Sequence, residues 1–147
     1  MRKNGFTLIE LLVVIAIMSI LTVITVSQFG SAQKRSRDVA RKADLNSLSK
    51  ALLNHYADYG YFPDEDDILW GGEFKDDTDY IYMKVVPREN SSNMLDYCYE
   101  VGTPPDRFIL LSELENEEDG DYDEYANCGG GYNFAIVSPN AAVSEFE

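Results

Sequence analysis

Apolar residues are distributed along this chain in three regimes. From Phe6 to Val26 the sequence is apolar except for Thr7, Glu10, Ser19, Thr22 and Thr25, and no charge occurs from Leu11 to Gln33. As a helix those uncharged residues extend about 34 Å, enough to cross a hydrocarbon core of about 30 Å. A polar stretch follows, Lys34-Arg35-Ser36-Arg37-Asp38 and then Arg41-Lys42, and marks the end of the apolar span. Leu45, Leu48, Leu52, Tyr56 and Tyr59 then recur at helical spacing, which predicts one apolar stripe covering a globular head. Gly60 suits a left-handed C′ position and Pro63 prevents continuation, so the helix should end near Tyr59. No proline precedes Pro63. The pattern therefore predicts a helix without a kink near Ser27, about 80 Å long from Phe6, with Gly30 as its weak point at about 1 kcal/mol relative to Ala.

The third regime is short and strand-like. Residues 64–79 are acidic and predict a loop with a helical turn, and Tyr80–Val86, before Pro87, predicts a short strand. Tyr97–Val101, the turn 102–106 and Phe108–Leu114 read as strand, turn, strand, and Tyr132–Val137 supplies a further strand. A sheet of three or four antiparallel strands packed on the helical stripe gives an α+β fold.

Charge divides the chain. Its net −14 combines residues 1–50, with eight basic residues against Glu10, Asp38 and Asp44, and residues 51–147, with four basic against 23 acidic residues, a net −19. An acidic head disfavours nucleic acid as a partner. His55, Cys98 and Cys128 are the only imidazole and thiols, too few for a Cys/His zinc cluster, and a triad would hang on one histidine. The paired carboxylates Asp64, Glu65, Asp66 and Asp67 suit a solvated surface better than the cleft of a membrane-anchored hydrolase, so no enzyme is expected. The basic residues 34–42 fit either anionic headgroups or a solvated helix face. By the positive-inside tendency they would also lie in the cytoplasm.

Glu10 is the anomaly of the apolar run, because an ionised carboxylate at membrane depth costs about 2.5 kcal/mol or more without a partner. The run Gly5-Phe6-Thr7-Leu8-Ile9-Glu10 resembles the processing site of the type IV pilin and type II secretion pseudopilin family. The resemblance implies cleavage after Gly5 by a prepilin peptidase, methylation of Phe6 as the new amino terminus, and pairing of Glu10 with a neighbouring subunit's terminal ammonium during assembly. Many relatives carry a proline where this chain has Ser27. Leu48 to Pro63, ending Tyr59-Gly60-Tyr61-Phe62-Pro63, is similar to the end of the helix in major pseudopilins and simple pilins. The implied organisation is a leader at 1–5, a transmembrane and assembly helix at 6–29, an amphipathic helix half at 30–60 and an acidic extracytoplasmic head at 61–147. The implied role is a structural subunit of a homo-oligomeric helical filament. Its partners would be membrane lipid before assembly, the prepilin peptidase, and an inner-membrane platform with its assembly ATPase. A secretion pseudopilin is the alternative, a DNA-uptake minor pilin a remote one, and a secretory signal cleaved near Gly30-Ser31-Ala32 the bland reading. The resemblance places the head outside the cytoplasm, against the positive-inside count.

Two further expectations concern the head. Cys98 and Cys128, both in the exported part, are expected to pair in an oxidising compartment, two separate thiols being the alternative. Asp119, Asp121 and Asp123 alternate in a loop that lacks the glycine and closing glutamate of an EF-hand. The major pseudopilins' calcium-binding loop makes these three candidate calcium ligands, a solvated loop being the alternative, and no cofactor is required.

Overall fold

A computed structural model describes residues 5–146, with the side chains of 24–28 outside the description. Residues 1–4 of the expected leader lie outside the described residues. One helix, α1, runs unbroken from Leu8 to Tyr59 through positions 27 and 30. Thr7 starts it: its hydroxyl accepts from the Glu10 amide, and Glu10 returns by accepting from the Thr7 amide at 2.9 Å. This reciprocal box satisfies amides that a helix start leaves unpaired. Gly60, at φ 76°, ends the helix in the left-handed conformation, its N–H donating to the Tyr56 carbonyl at 2.7 Å.

Five strands follow: β1 (Phe74–Lys75), β2 (Ile81–Met83), β3 (Cys98–Val101), β4 (Phe108–Ser112) and β5 (Phe134–Val137). They make two antiparallel sheets, a β1-β2 ribbon and a three-stranded sheet in the order β3-β4-β5. β1 lies within the segment expected to be loop, and its one buried residue, Phe74, is hidden between acidic flanks. The expected helical turn is the exposed 3₁₀ turn Glu65–Asp67.

Leu45, Leu48 and Leu52 are fully buried against Phe62, Phe74, Tyr99, Phe108 and Leu110. The stripe fails at its end: Tyr59 is 41% exposed and His55 is buried in its place. At about 100° per residue, the fourteen residues from Leu45 leave Tyr59 about 40° off the stripe. Its hydroxyl donates to Asp76 at 2.9 Å instead. β4 is buried on both faces. Phe108 and Leu110 meet the helix, while Ile109 and Leu111 pack under Tyr132, Cys98, Cys128, Val143 and Phe146. The continuous apolar run in β4 is the signature of a strand covered on both sides.

Candidate assembly site and the docked acidic loop

The amino-terminal half of α1 presents apolar surface on every side. From Phe6 to Phe29 the large apolar residues with described side chains are 43% to 85% exposed. A helix apolar all round needs either lipid or other copies around it. Among the described residues no helix is long and apolar enough to cross a membrane. The described apolar side chains from Leu8 to Val23 span about 24 Å, and the rest of the run falls on residues 24–28, whose side chains lie outside the description.

Gly5 and Phe6 precede the helix in exposed, irregular backbone, and a Cβ at Gly5 would touch nothing within 4 Å. Glu10 Oε2 accepts from both the amide (2.9 Å) and the hydroxyl (2.7 Å) of Thr7. Among the described residues the carboxylate thus has two local donors and no cation.

Head contact starts where the basic residues start. The Arg37 guanidinium donates to both Glu115 carboxylate oxygens, at 2.7 and 2.5 Å. Arg41, 3% exposed, donates to Glu89 (2.5 Å), Asp38 (2.7 Å) and Glu115 (3.0 Å). Asp38, 1% exposed, accepts in addition from the amides of Glu115 and Asn116, both at 3.0 Å. Lys42 holds Asp119 at 2.5 Å and Asp121 at 2.8 Å, and lies 5.1 Å from the centre of the Phe134 ring. The expectation that this cluster faces lipid or open water therefore fails for Arg41 and Lys42, while Arg37 stays exposed beside its fork to Glu115. They bind the acidic loop, because a buried guanidinium with five donors is stable only when carboxylates surround it.

The electrostatics follow from this geometry. Burial works against the Arg41 cation, but Glu89, Glu115 and Asp38 outweigh it and hold its pKa above the ordinary arginine value. The Arg37 fork, reinforced by Arg41 against partial burial, holds the Glu115 carboxyl down to about 2. Asp119 lies below the usual carboxylate range, chiefly through its bond to Lys42.

Cys98 and Cys128 form a disulfide, their Cα atoms 6.4 Å apart. Glu100 braces it, accepting from the Cys128 amide (2.8 Å) and from Asn127 Nδ2 (3.0 Å). The three candidate calcium ligands do not converge on one point: Lys42 occupies Asp119 and Asp121, and Asp123 accepts from the Glu124 amide at 2.9 Å. Among the described residues, the group close enough to share an ion is Cys98, Glu100 and Cys128, whose sulfurs are joined to each other.

Asp38, Arg41, Glu89 and Glu115 are the residues that sequence reasoning did not assign. The helical spacing of Asp38 and Arg41 is legible as a local pair, but nothing local announces partners more than 40 residues away.

A long amino-terminal helix, bare in its first half and packed by its second half on small antiparallel sheets, is the architecture of type IV pilin-like proteins. The family described as prokaryotic N-terminal methylation motif matches residues 1–26. The type IV major pilin protein PilA of Myxococcus xanthus (strain DK1622) is 36% identical over 63 residues, 43% of this chain and 29% of that protein. The match thus spans less than a third of that relative's length. No solved structure matches. Motif, relative and architecture together support the type IV pilin and pseudopilin family for this chain.

Proposed function

We propose that the chain is the structural subunit of a type IV pilus-like filament, cleaved after Gly5, methylated on Phe6 and polymerised from the cytoplasmic membrane with its acidic head outside. The observation that carries this reading is the exposed apolar surface of the described side chains from Phe6 to Val23 and at Phe29, which lies ahead of the ion pair from Arg35 to Glu118 in the head at 3.9 Å. Lipid covers such a surface before assembly and other copies cover it afterwards, so the gain comes from close packing rather than from removal of water. Glu10, which among the described residues is held by Thr7, gains a cation when it meets the Phe6 ammonium of a neighbour. The peptidase, platform and ATPase of this family are the partners. Calcium is not needed for this role, and on Asp119, Asp121 and Asp123 it would have to displace Lys42.

Mass spectrometry of the amino-terminal peptide in sheared surface filaments and in membranes tests the proposal. Methyl-Phe6 abundant in the sheared fraction is the expected result, and the same terminus confined to membranes indicates a secretion pseudopilin. A terminus near Gln33 would mean a cleaved secretory signal and would overturn both.

A further inference from the structure

We propose that the cavity between the end of α1 and the turn of the β1-β2 ribbon binds an organic ammonium, supplied as a free quaternary amine or as a lysine side chain of another molecule. The inference goes beyond the filament reading and does not depend on it.

Aromatic rings wall this cavity, which measures about 220 Å³. His55 and Tyr59 come from neighbouring turns of α1, Tyr61 from beyond the Gly60 stop and Phe74 from β1. The ring centres of Tyr59, Tyr61 and Phe74 lie 4.8, 5.6 and 5.7 Å from that of His55. The Tyr59 hydroxyl donates to Asp76 at 2.9 Å, and Asp76 is itself fixed by the amides of Thr78 (2.8 Å) and Tyr80 (2.9 Å). The walls are therefore set before a ligand arrives, which lowers the cost of binding.

The polar groups left over are acceptors. The hydroxyls of Tyr59 and Thr78 are spent on Asp76, and Lys75 is held by Asp79. His55, 6% exposed, has Nδ1 3.2 Å from the Tyr61 carbonyl, so Nδ1 carries the proton and Nε2 of the neutral ring is a lone-pair acceptor. Nε2 has no partner among the described residues. Ser112 Oγ and Asn127 Oδ1 are the unpartnered side-chain atoms that are fully enclosed, so Nε2 still meets solvent, and the cavity is the space its ring lines. Asp67 accepts from the Asp64 amide through Oδ2, while its Oδ1 and the whole Asp77 carboxylate have no partner among the described residues. Of the lining side chains, the Tyr61 hydroxyl alone keeps a proton to give.

Spent donors, unspent acceptors and the charges of Asp67, Asp76 and Asp77 select a ligand that donates and is positive. An anion is repelled, and a polyol would turn its own acceptors toward acceptors. A bare metal ion is not matched either, because these groups do not come close enough to share one. An organic ammonium is wide enough to touch carboxylates and ring faces together, and aromatic faces attract it. The excess of 23 acidic over four basic residues in 51–147 adds attraction at longer range.

His55 is the chain's single histidine, so its ring protons report on this cavity directly by NMR. The full-length chain in a maltoside detergent is titrated at constant ionic strength with choline, with Nα-acetyl-lysine methylamide and with neohexyl alcohol, the uncharged isostere of choline. Saturable shifts of the His55 ring with at least one ammonium, and none with the alcohol, are expected. Saturation by choline alone identifies a free quaternary amine as the source, and saturation by the lysine derivative identifies a lysine side chain. Asp77 and Tyr61 are exposed, so their variants keep the fold. Asp77→Asn weakens binding about threefold by removing a nearby charge, and Tyr61→Leu weakens it about threefold by removing a ring face. Glu118→Gln removes the same charge from the acidic loop and leaves binding unchanged. No shift with either ammonium, equal binding of the alcohol, or equal losses in Asp77→Asn and Glu118→Gln overturn the inference. None of these outcomes touches the filament reading, which the terminal peptide decides.

Discussion

Replacing Arg41 by methionine removes the guanidinium while keeping an aliphatic stem of similar reach. Asp38, Glu89 and Glu115, with side chains 1%, 8% and 17% exposed, then lose their shared cation inside the head. Breaking a buried ion pair from one side costs about 3–5 kcal/mol, because the remaining charge stays desolvated without a partner. We expect a loss of about 4 kcal/mol, a large part of the roughly 5–15 kcal/mol available to a domain of this kind. The assay is denaturant titration of the full chain in mild detergent, followed by the fluorescence of Trp70, the chain's single tryptophan, which lies 6.1 Å from Tyr97 in the head. Arg35→Met provides the contrast. Its contact with Glu118 is 3.9 Å long between side chains 64% and 85% exposed, and should be worth less than about 0.5 kcal/mol. Adding Glu89→Gln to Arg41→Met should recover part of the loss, since Glu89, whose cation is Arg41, is then a stranded charge, whereas Glu115 keeps Arg37. Equal effects of Arg41→Met and Arg35→Met, or a cost below about 1 kcal/mol for the former, would refute the idea that the buried cluster docks the loop.

Acid should release the same loop. The folded Glu115 carboxyl lies at about 2 against an ordinary value of 4.5, so its contribution to stability is present above about pH 4.5 and fades as pH falls toward 2. Denaturation midpoints measured across that window should decline in the wild type, and less steeply in Glu115→Gln. Replacing both cysteines by serine should lower stability by about 3.6 kcal/mol for a 30-residue separation in the chain-entropy model, read from the same titration. A change below about 1 kcal/mol would show that the unfolded loop is already constrained. Calcium calorimetry on the full chain should show no uptake while Lys42 holds Asp119 and Asp121. A heat of binding in the wild type would mean that the ion displaces the lysine.

The sequence by itself determined the elements whose causes are local. The uncharged run before Lys34, the 45-48-52 stripe and the Gly60 stop account for α1 because periodicity and capping act within a few residues. Alternating and continuous apolar runs located β3, β4 and β5, and two cysteines in one acidic head pointed to their own pairing. The short β1 was hidden, since two residues flanked by acids carry no period. What only the tertiary structure decided is where the charges go. Basic residues at 37–42 and acids at 89 and 115–121 lie 48 to 79 positions apart, and each stretch alone looks solvated. Folding brings them together because the disulfide loop and helix enclose Arg41, and a buried cation can persist only among carboxylates. The cavity beside His55 has the same origin: the aromatic residues are visible in the sequence, but only the docking of the β1-β2 ribbon on α1 shows which of them wall one space.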